Sequence, residues 1–446
     1  MKKRYWLLLL LLALCIFGYV KLFYSSINNA AVPSNADMVA TIDVKKVIRT
    51  VVWDIVTHTS KWKIKSSSTE ATDAVDLKDV FVLPDYAQAF HIKGEPTNKW
   101  YTVLQIADED LFTKALKQYG FTTLYTNQYT STGKNLGIVK NGNNIIVSNY
   151  ALDSANNLNA LLETFAKNSF LATEKSNQIT AANSHFTIFI AADNFLQKDA
   201  IVKANITNDN ILIDGELNPK AAFSFVENDF VFDNNAMLGL GFTQPTKAVY
   251  DLISRNDKIN ISNAIGVNTD TLFIPSNKYY QLQVDGIVPR IDSAISYTYD
   301  DDFNAIQKVV VNNVDEPMYN FIVSGDSVQN IYNNWANNKT IVTDSNGNLF
   351  RPMPLVKSYC VVEKNTLEIA PKNFTKTATN ENVKAVFFAN ILMEKIGDKY
   401  LKYFSDEVKN IVQKVSKLNF TCNTNTNKLV LKGNLQKAGK GFLDFE

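Results

Sequence analysis

The chain has 446 residues, a length that exceeds one ordinary hydrophobic core and predicts two or three domains, two being the simpler count. Hydrophobic residues make up 46% and charged residues 20%, values typical of globular proteins, so the body is expected to fold. Lysine and arginine total 45 against 44 aspartate and glutamate, and this balance leaves no excess positive charge to attract nucleic acid.

The N-terminus has the pattern of an export signal. Three basic residues at positions 2–4 precede an uninterrupted apolar run over 6–20, which is the order that the export machinery recognises. With the residues up to 24, the apolar stretch approaches the roughly 20 residues that cross the hydrocarbon layer, and the basic end stays in the cytoplasm. We therefore predict that residues 1–24 form a basic stretch and a signal anchor or transmembrane segment, and that residues 25–34 form a linker.

Two alternatives to the anchor stay open, a cleaved signal peptide and a lipoprotein acylated at Cys15. Cleavage favours small residues near the end of the apolar run, where Phe17, Tyr19 and Val20 stand. Lipidation favours a small residue before the cysteine, and Leu14 is large. All three alternatives place the body outside the cytoplasm in the cell envelope, anchored in the inner membrane, secreted or lipid-anchored.

The body contains matches that predict an internal duplication, with one half over 35–228 and the other over 229–446. The matches occur in the same order in both halves, and their offset drifts as loop insertions would make it drift. The matched segments are 35–42 with 235–242, 80–84 with 272–275, 101–119 with 319–335, 186–190 with 386–388, and 211–217 with 429–435. Strands share the same residue types by chance, so the common order carries the prediction.

Hairpin turns and alternating apolar residues predict mainly antiparallel sheets. Asn141-Gly142 and Asn346-Gly347 each lie next to strand-like runs, and Asn-Gly suits the positive φ angles of tight turns. Alternating segments over 360–369 and 418–431 predict further hairpins, and 80–84 and 272–275 each predict a strand ending in proline.

The helices are predicted to be amphipathic and to cover one face of the sheet in each half. Asp43 is expected to cap a helix whose apolar stripe consists of Val44, Val47, Ile48, Val51, Val52 and Ile55. The predicted fold class is α+β, in two tandem, duplicated halves.

Histidine is scarce, and this excludes most hydrolase mechanisms and metal sites that depend on imidazole side chains. His58, His91 and His185 have no zinc-site spacing and are interpreted as structural. Gly325-Asp326-Ser327 is similar to the first block of the Gly-Asp-Ser hydrolases, but no histidine follows it. Asp326 or Ser327 is therefore expected to cap the helix that runs to Trp335.

The acidic segments also have plain structural interpretations. The run over 300–302 lacks the interleaved ligands of a calcium loop and predicts a solvated turn, and the segment over 344–348 predicts a hairpin turn. Phosphate-cradling and dinucleotide motifs are absent from the sequence. The sequence thus predicts no catalytic, cofactor-binding or metal-ligating residue and no cofactor.

Cys360 and Cys422 lie in strand-like runs. We expect them to form either one disulfide bridge or two free buried thiols.

The tryptophans Trp53, Trp62, Trp100 and Trp335 are expected in the core or at its edge, with a groove for sugar or peptide as the alternative.

The chain resembles a loose group of uncharacterised bacterial envelope proteins. It shares with them the leader, the Pro-x-x-Ala opening at Pro33 and the doubled strand pattern. That resemblance implies an exported α+β body and brings no activity and no site residue.

These observations lead to one functional hypothesis and one alternative. The hypothesis is a non-enzymatic, membrane-tethered extracytoplasmic binding or scaffold protein, with the membrane and a protein or saccharide as partners and no nucleic acid. The alternative is a carboxylate-dependent envelope hydrolase with its site between the two halves.

Overall fold

The computed structural model describes residues 25–28, 31–57, 75–153, 159–167, 169–193, 195–244, 250, 253, 255–274, 276–299, 303–352, 356–374, 380–397, 409, 412–439 and 442. The chain divides into two compact units. Unit 1 comprises residues 1–218 with 441–446, and unit 2 comprises residues 219–440. The predicted leader over 1–24 lies outside the described residues. Most of the predicted linker over 25–34 is described, and its last part packs against unit 1, where Val32 is 1% exposed in the core and Pro33 forms a β-bridge with Phe170. No helix among the described residues is long and apolar enough to cross a membrane.

Unit 1 is built on an antiparallel sheet. Its strands are β1 (Ala36–Asp43), β2 (Tyr86–Ile92), β3 (Tyr101–Gln105), β4 (Thr122–Tyr125), β5 (Gln128–Ser131), β6 (Leu136–Asn141), β7 (Asn144–Ser148), β8 (Phe186–Ile190), β9 (Ala200–Ile206) and β10 (Asn210–Leu217). The described helices are α1 (Val44–Thr57), α2 (Leu77–Val80), α3 (Glu109–Gln118), α4 (Asn159–Ala166) and α5 (Thr173–Ala181). The strands pair in the order β10-β9-β8-β1-β2-β3-β7-β6-β5-β4, each antiparallel to its neighbours.

Unit 2 is built on a second antiparallel arrangement. Its strands are β11 (Asn228–Asp233), β12 (Leu238–Thr243), β13 (Asn277–Tyr299), β14 (Ala305–Gly325), β15 (Ile341–Asp344), β16 (Gly347–Phe350), β17 (Ser358–Glu363), β18 (Thr366–Pro371), β19 (Asn380–Ala385), β20 (Phe387–Leu392), β21 (Val415–Asn425) and β22 (Lys428–Lys437). The described helices are α6 (Arg255–Ile265), α7 (Thr269–Leu272) and α8 (Val328–Asn337), with a 3₁₀ turn at Met393–Lys395.

The main sheet of unit 2 has the order β22-β21-β20-β12-β13-β14-β18-β17-β16-β15, again with antiparallel neighbours throughout. Strands β11 and β19 form a separate two-stranded sheet. Strands β13 and β14 are far longer than the strands beside them, and their outer parts extend past the sheet. The α+β class with mainly antiparallel sheets, predicted from the sequence, is confirmed.

Each unit has its own core on alternate strand positions. In unit 1, Val39 of β1 lies opposite Phe90 on one side and Phe189 on the other, and all three side chains are fully buried. In unit 2, Tyr280 and Val323 are opposed in the same way across β13 and β14 and are equally buried. Side chains directly opposite each other in an antiparallel pair share a face, so this register concentrates the apolar residues on one side of each sheet.

The predicted strands over 80–84 and 272–275 do not form as regular strands; a single β-bridge joins Phe81 to Ile106, while Val80 and Leu272 each end a helical turn. Asp76 accepts a hydrogen bond from the Lys78 N–H at 3.1 Å, which starts the single turn α2, and Asn268 starts α7 in the same way with the Asp270 N–H at 2.8 Å. A side chain that satisfies free N–H groups favours a helical turn over an extended segment. In both units the strand therefore begins only after the proline.

The predicted hairpins form, but neither Asn-Gly pair occupies both positions of its turn. Asn141 pairs with Asn144, so the β6–β7 turn consists of Gly142, with a φ of +60°, and Asn143. Gly347 instead pairs with Asp344 as the first residue of β16, so the β15–β16 turn consists of Ser345 and Asn346. The Asn346 N–H donates to Asp344 Oδ1 at 2.7 Å, and this local bond moves the turn by one residue.

Helix α1 is capped as predicted, since Asp43 Oδ1 accepts from the Lys46 N–H at 2.7 Å. Its apolar stripe, however, is only partly buried: Ile48 and Val52 are exposed, and Trp53 is 70% exposed. Helix α8 shows the opposite combination. Its inward residues Val328, Ile331 and Trp335 are buried, but neither predicted cap residue bonds to its first turn. Ser327 contacts the Ser276 hydroxyl, and Asp326 accepts from Asn365 Nδ2 at 3.0 Å.

Candidate functional site

Unit 2 contains an apolar cavity of about 210 Å³ between its sheet and helices α6 to α8. It is lined by Ile265, Val267, Leu272, Leu282, Tyr319, Phe321, Trp335, Phe350 and Ile369. No lining residue carries a charge. Ile265 is the most exposed of the nine, which places the cavity mouth at the end of α6.

The cavity floor follows directly from strand register. Leu282 of β13 lies opposite Phe321 of β14, and Phe321 lies opposite Ile369 of β18. These three side chains therefore form one row on one face of the sheet. The roof is α8, whose buried indole at Trp335 also contacts the Phe350 ring, with the two ring centroids 5.5 Å apart.

Two of the lining residues carry a polar group. The Tyr319 hydroxyl donates to Ser358 Oγ at 2.5 Å, and burial raises the pKa of Tyr319, so this phenol is neutral and already bonded. The Trp335 Nε1 is buried and has no hydrogen-bond partner within the described part of the chain. An unpaired buried donor costs free energy, which a ligand with an acceptor atom would recover.

A wider polar groove of about 640 Å³ adjoins the cavity, and the two share Val267. Its walls include Arg255, Lys258 and Asp270 from α6 and α7. The Lys258 ammonium lies 3.7 Å from the centroid of the Tyr250 ring, and the Tyr250 hydroxyl donates to Asp270 Oδ1 at 2.5 Å. The apolar cavity thus lies next to a polar surface that carries two cations and one carboxylate.

The two described histidines are buried and hydrogen-bonded, as the structural interpretation expects. His91 Nδ1 lies 2.6 Å from Asp37 Oδ1, and its Nε2 faces the Pro96 carbonyl oxygen at 3.1 Å. His185 Nδ1 accepts from the Ile206 N–H at 3.2 Å. His58 lies outside the described residues.

A hydrogen-bonded tyrosine pair lies near His91 in unit 1. The Tyr101 hydroxyl donates to Glu95 Oε2 at 2.5 Å and lies 2.9 Å from the Tyr150 hydroxyl. Burial and the Glu95 hydrogen bond raise the pKa of Tyr101, so the phenol stays neutral and its bonds are structural. Among the described residues, no group of three His, Cys, Asp or Glu side chains is arranged to hold a metal ion.

The remaining sequence-predicted residues are dispersed. Cys360 and Cys422 are free, buried thiols, so the bridged alternative is not adopted. The segment over 344–348 forms the β15–β16 hairpin, while Trp62 and the acidic run over 300–302 lie outside the described residues. Among the described tryptophans, Trp335 lines the cavity, whereas Trp53 is 70% exposed and does not take the core or core-edge position expected for it.

The cavity itself was not predicted from the sequence, and no signal in the sequence would have revealed it. Its wall consists of the same apolar residue types, at the same alternate positions, that would fill a solid core. Whether such side chains leave a void depends on how closely helices and strands from distant parts of the chain approach.

Comparisons with known proteins give little further information. No family model and no curated protein matches the chain. Among solved structures, crystal form III of TP0453 matches at 10% identity over 54% of this chain and 88% of that chain, with a TM-score of 0.28. Crystal form I matches at 12% identity over 45% and 82% of the two chains, with a TM-score of 0.26. Similarity at this level transfers neither a fold nor a function.

Proposed function

We propose that the chain is a non-enzymatic, membrane-tethered extracytoplasmic binding protein whose ligand site is the cavity of unit 2. The tether is supported by the basic and apolar pattern of residues 1–24. The binding role is supported by the cavity, the observation that carries the proposal. Well-packed cores contain few voids larger than a water molecule, so an apolar cavity of this volume calls for an occupant.

The ligand is expected to be apolar, at least in the part that enters the cavity. A dry cavity of about 150 Å³ with aliphatic and aromatic walls is enough to bind benzene. A ligand with an aromatic or aliphatic body therefore suits this larger cavity best. A saccharide would need several hydrogen-bond partners that these walls do not provide.

We also propose that the two units descend from one duplicated unit. The proposal is supported by the strand orders, because each successive strand of β1 to β10 has a counterpart at the same position in the main sheet of unit 2. The helix α3 after β3 likewise corresponds to α8 after β14. The five matched sequence segments fall on corresponding elements.

Binding can be tested with toluene as a small apolar probe and the full chain held in lipid nanodiscs. The lipid concentration is the same for every variant, because lipid also takes up toluene. A ligand that binds only the folded state raises the melting temperature. We expect toluene to raise the melting temperature of the native chain. Leu282→Phe, which fills the cavity, should abolish the rise, and Leu282→Ala, which enlarges it, should increase the rise.

The matched control is Leu212→Phe, the same change at an exposed position of β10 in unit 1. This variant should respond to toluene like the native chain. An equal rise in Leu282→Phe and the native chain, with both folded by circular dichroism, would show that toluene binds elsewhere. No rise in any variant would refute the proposed site.

A further inference from the structure

Helix α1 of unit 1 turns polar side chains inward and leaves apolar side chains in solvent. On its inward side, Lys46 Nζ donates to Asn205 Oδ1 at 3.3 Å. Thr50 Oγ1 lies 2.6 Å from His185 Nε2, and Asp54 is only 5% exposed. An amphipathic helix that packs on a sheet normally has the reverse arrangement, with its apolar stripe toward the core.

The exposed side of α1 is apolar over the second half of the helix. Val52 is 44% exposed, Trp53 70% and Val56 63%, and Ile55 is exposed as well. Every exposed residue between positions 50 and 56 is apolar. Side chains three and four positions apart are neighbours on a helix, so these four form one continuous surface. A continuous apolar surface in solvent points to a contact with a protein or a membrane.

Helix α3 of the same unit has the usual arrangement. Its apolar residues Phe112, Ala115 and Leu116 are buried, and the exposed positions between them carry Thr113 and Lys114. The inverted arrangement of α1 therefore needs an explanation of its own.

The start of α1 lies next to the point where the leader joins unit 1. The Ser26 N–H donates to Asp85 Oδ2 at 2.9 Å, and Lys45 Nζ lies 2.9 Å from the other oxygen of that carboxylate. Ser26 is two residues beyond the predicted membrane segment over 1–24, which is at most about 7 Å along the chain. Val56 lies about 17 Å along the helix from Lys45. The apolar side of α1 is therefore within reach of the membrane that holds the leader.

We propose that α1 lies on the membrane that holds the leader, with its exposed apolar side inserted at the lipid–water interface. This contact rests on the membrane tether of the proposed function. Amphipathic helices bind the interface with their apolar side toward the acyl chains, and tryptophan is enriched there, which suits the exposed Trp53. The short link to the leader keeps α1 at a high effective concentration near the lipid, so a contact that is weak by itself suffices.

The charges on the exposed side of α1 do not require an anionic lipid. Lys45 is paired with Asp85, and Arg49 Nη2 lies 3.8 Å from Asp43 Oδ2. Both cations belong to the first half of the helix, so the apolar second half is expected to carry the contact. The contact should therefore be the same in phosphatidylcholine vesicles with and without phosphatidylglycerol.

The contact can be tested by spin labelling of the full chain in phosphatidylcholine vesicles. Cys15→Ser removes the thiol of the leader, and the native thiols Cys360 and Cys422 are buried. Val52→Cys places the label on the apolar side of α1, and Thr113→Cys, at an exposed position of α3, is the matched control. Electron paramagnetic resonance measures collisions of the label with oxygen, which concentrates in lipid, and with a nickel chelate, which stays in water. We expect the ratio of oxygen to nickel collisions to be several-fold higher at position 52 than at position 113.

A second substitution tests whether the apolar side itself drives the contact. Adding Val56→Asp to the Val52→Cys chain should lower the ratio to that of the Thr113→Cys control, because a carboxylate is costly to transfer into lipid. Leu212→Asp, a matched change at an exposed apolar position of β10, should leave the ratio unchanged. The far-ultraviolet circular dichroism of both variants should stay that of the native chain.

An equal ratio at the two label positions, or a high ratio that survives Val56→Asp, would overturn the proposal. Low collision rates with both reagents at position 52 would also overturn it, because protein would then cover the helix. Flotation of the same vesicles tests the tether. A water-exposed label at position 52 on a chain that floats refutes only the α1 contact, whereas a chain that does not float refutes the tether and the α1 contact together.

Discussion

Burial decides the chemistry of individual side chains in this protein. The Cys360 and Cys422 thiols have pKa values raised by burial to about 12 and about 11, so both are protonated and unreactive at neutral pH. The two described histidines are held by local hydrogen bonds. Residues that suggest chemistry by type are thus used for packing and hydrogen bonding.

His185 should make stability depend on pH. It is 5% exposed, and burial followed by the nearby Lys46 charge lowers its pKa. Its Nδ1 accepts from the Ile206 N–H, so Nε2 carries the proton and donates to Thr50 Oγ1 at 2.6 Å. Charging the ring would break the first of these bonds.

The unfolded chain therefore binds a proton at His185 more readily than the folded chain. The contribution of His185 to stability is complete above about pH 6.5 and falls as the pH drops below that value, by at most about 1.4 kcal/mol per pH unit. We expect His185→Asn to flatten this fall in urea unfolding measured between pH 5 and 8. An unchanged slope in the variant would contradict the assignment.

At the level of single elements, strand register determines which glycines are required. Gly241 of β12 lies opposite Phe388 of β20, and a Cβ atom at Gly241 would lie 2.3 Å from a Phe388 ring carbon and 2.7 Å from a Phe230 ring carbon. Both rings are fully buried. The glycine thus allows two aromatic rings to pack against the strand backbone.

Gly241→Ala should therefore lower the free energy of unfolding by about 1–3 kcal/mol, the usual cost of overpacking a core. Gly286→Ala is the matched control, because Gly286 is also in a strand of unit 2 and a Cβ atom added there would meet no other atom within 4 Å. That control should change stability by less than about 0.5 kcal/mol. Equal effects of the two substitutions in chemical denaturation would show that strand propensity, and not the Phe388 contact, sets the cost.

Helix capping could be predicted at this scale where the cap is local. Asp43 and Asp108 both accept a bond from an N–H of the helix that follows, α1 and α3 respectively. Ser327 does not, because the distant Ser276 hydroxyl engages it. A residue pattern identifies a candidate cap, but a tertiary contact can take its side chain elsewhere.

For the molecule as a whole, attachment to the membrane remains a prediction that rests on residues 1–24. We expect the full chain to stay in the membrane pellet after an alkaline wash, since an apolar span resists extraction where a surface charge contact does not. A chain that lacks residues 2–24 should stay soluble and remain in the cytoplasm.

Cys15→Ser separates the anchor from lipidation. It should stay in the pellet if the apolar segment spans the membrane, and it should leave the pellet if an acyl chain at Cys15 is the tether. Recovery of the native full chain in the soluble cytosolic fraction would contradict the export prediction altogether.

The sequence by itself determined the α+β class, most hairpins and the cap at Asp43, because alternation, turn residues and capping act between neighbours in the chain. Only the tertiary structure decided that the side chains around Trp335 leave a cavity, that Gly241 accommodates Phe388, and that no other part of the described chain covers Ile295 of β13. Each of these depends on which distant segments approach one another and how closely. A pattern of apolar residues states that a side chain can be buried, whereas packing determines whether another surface covers it.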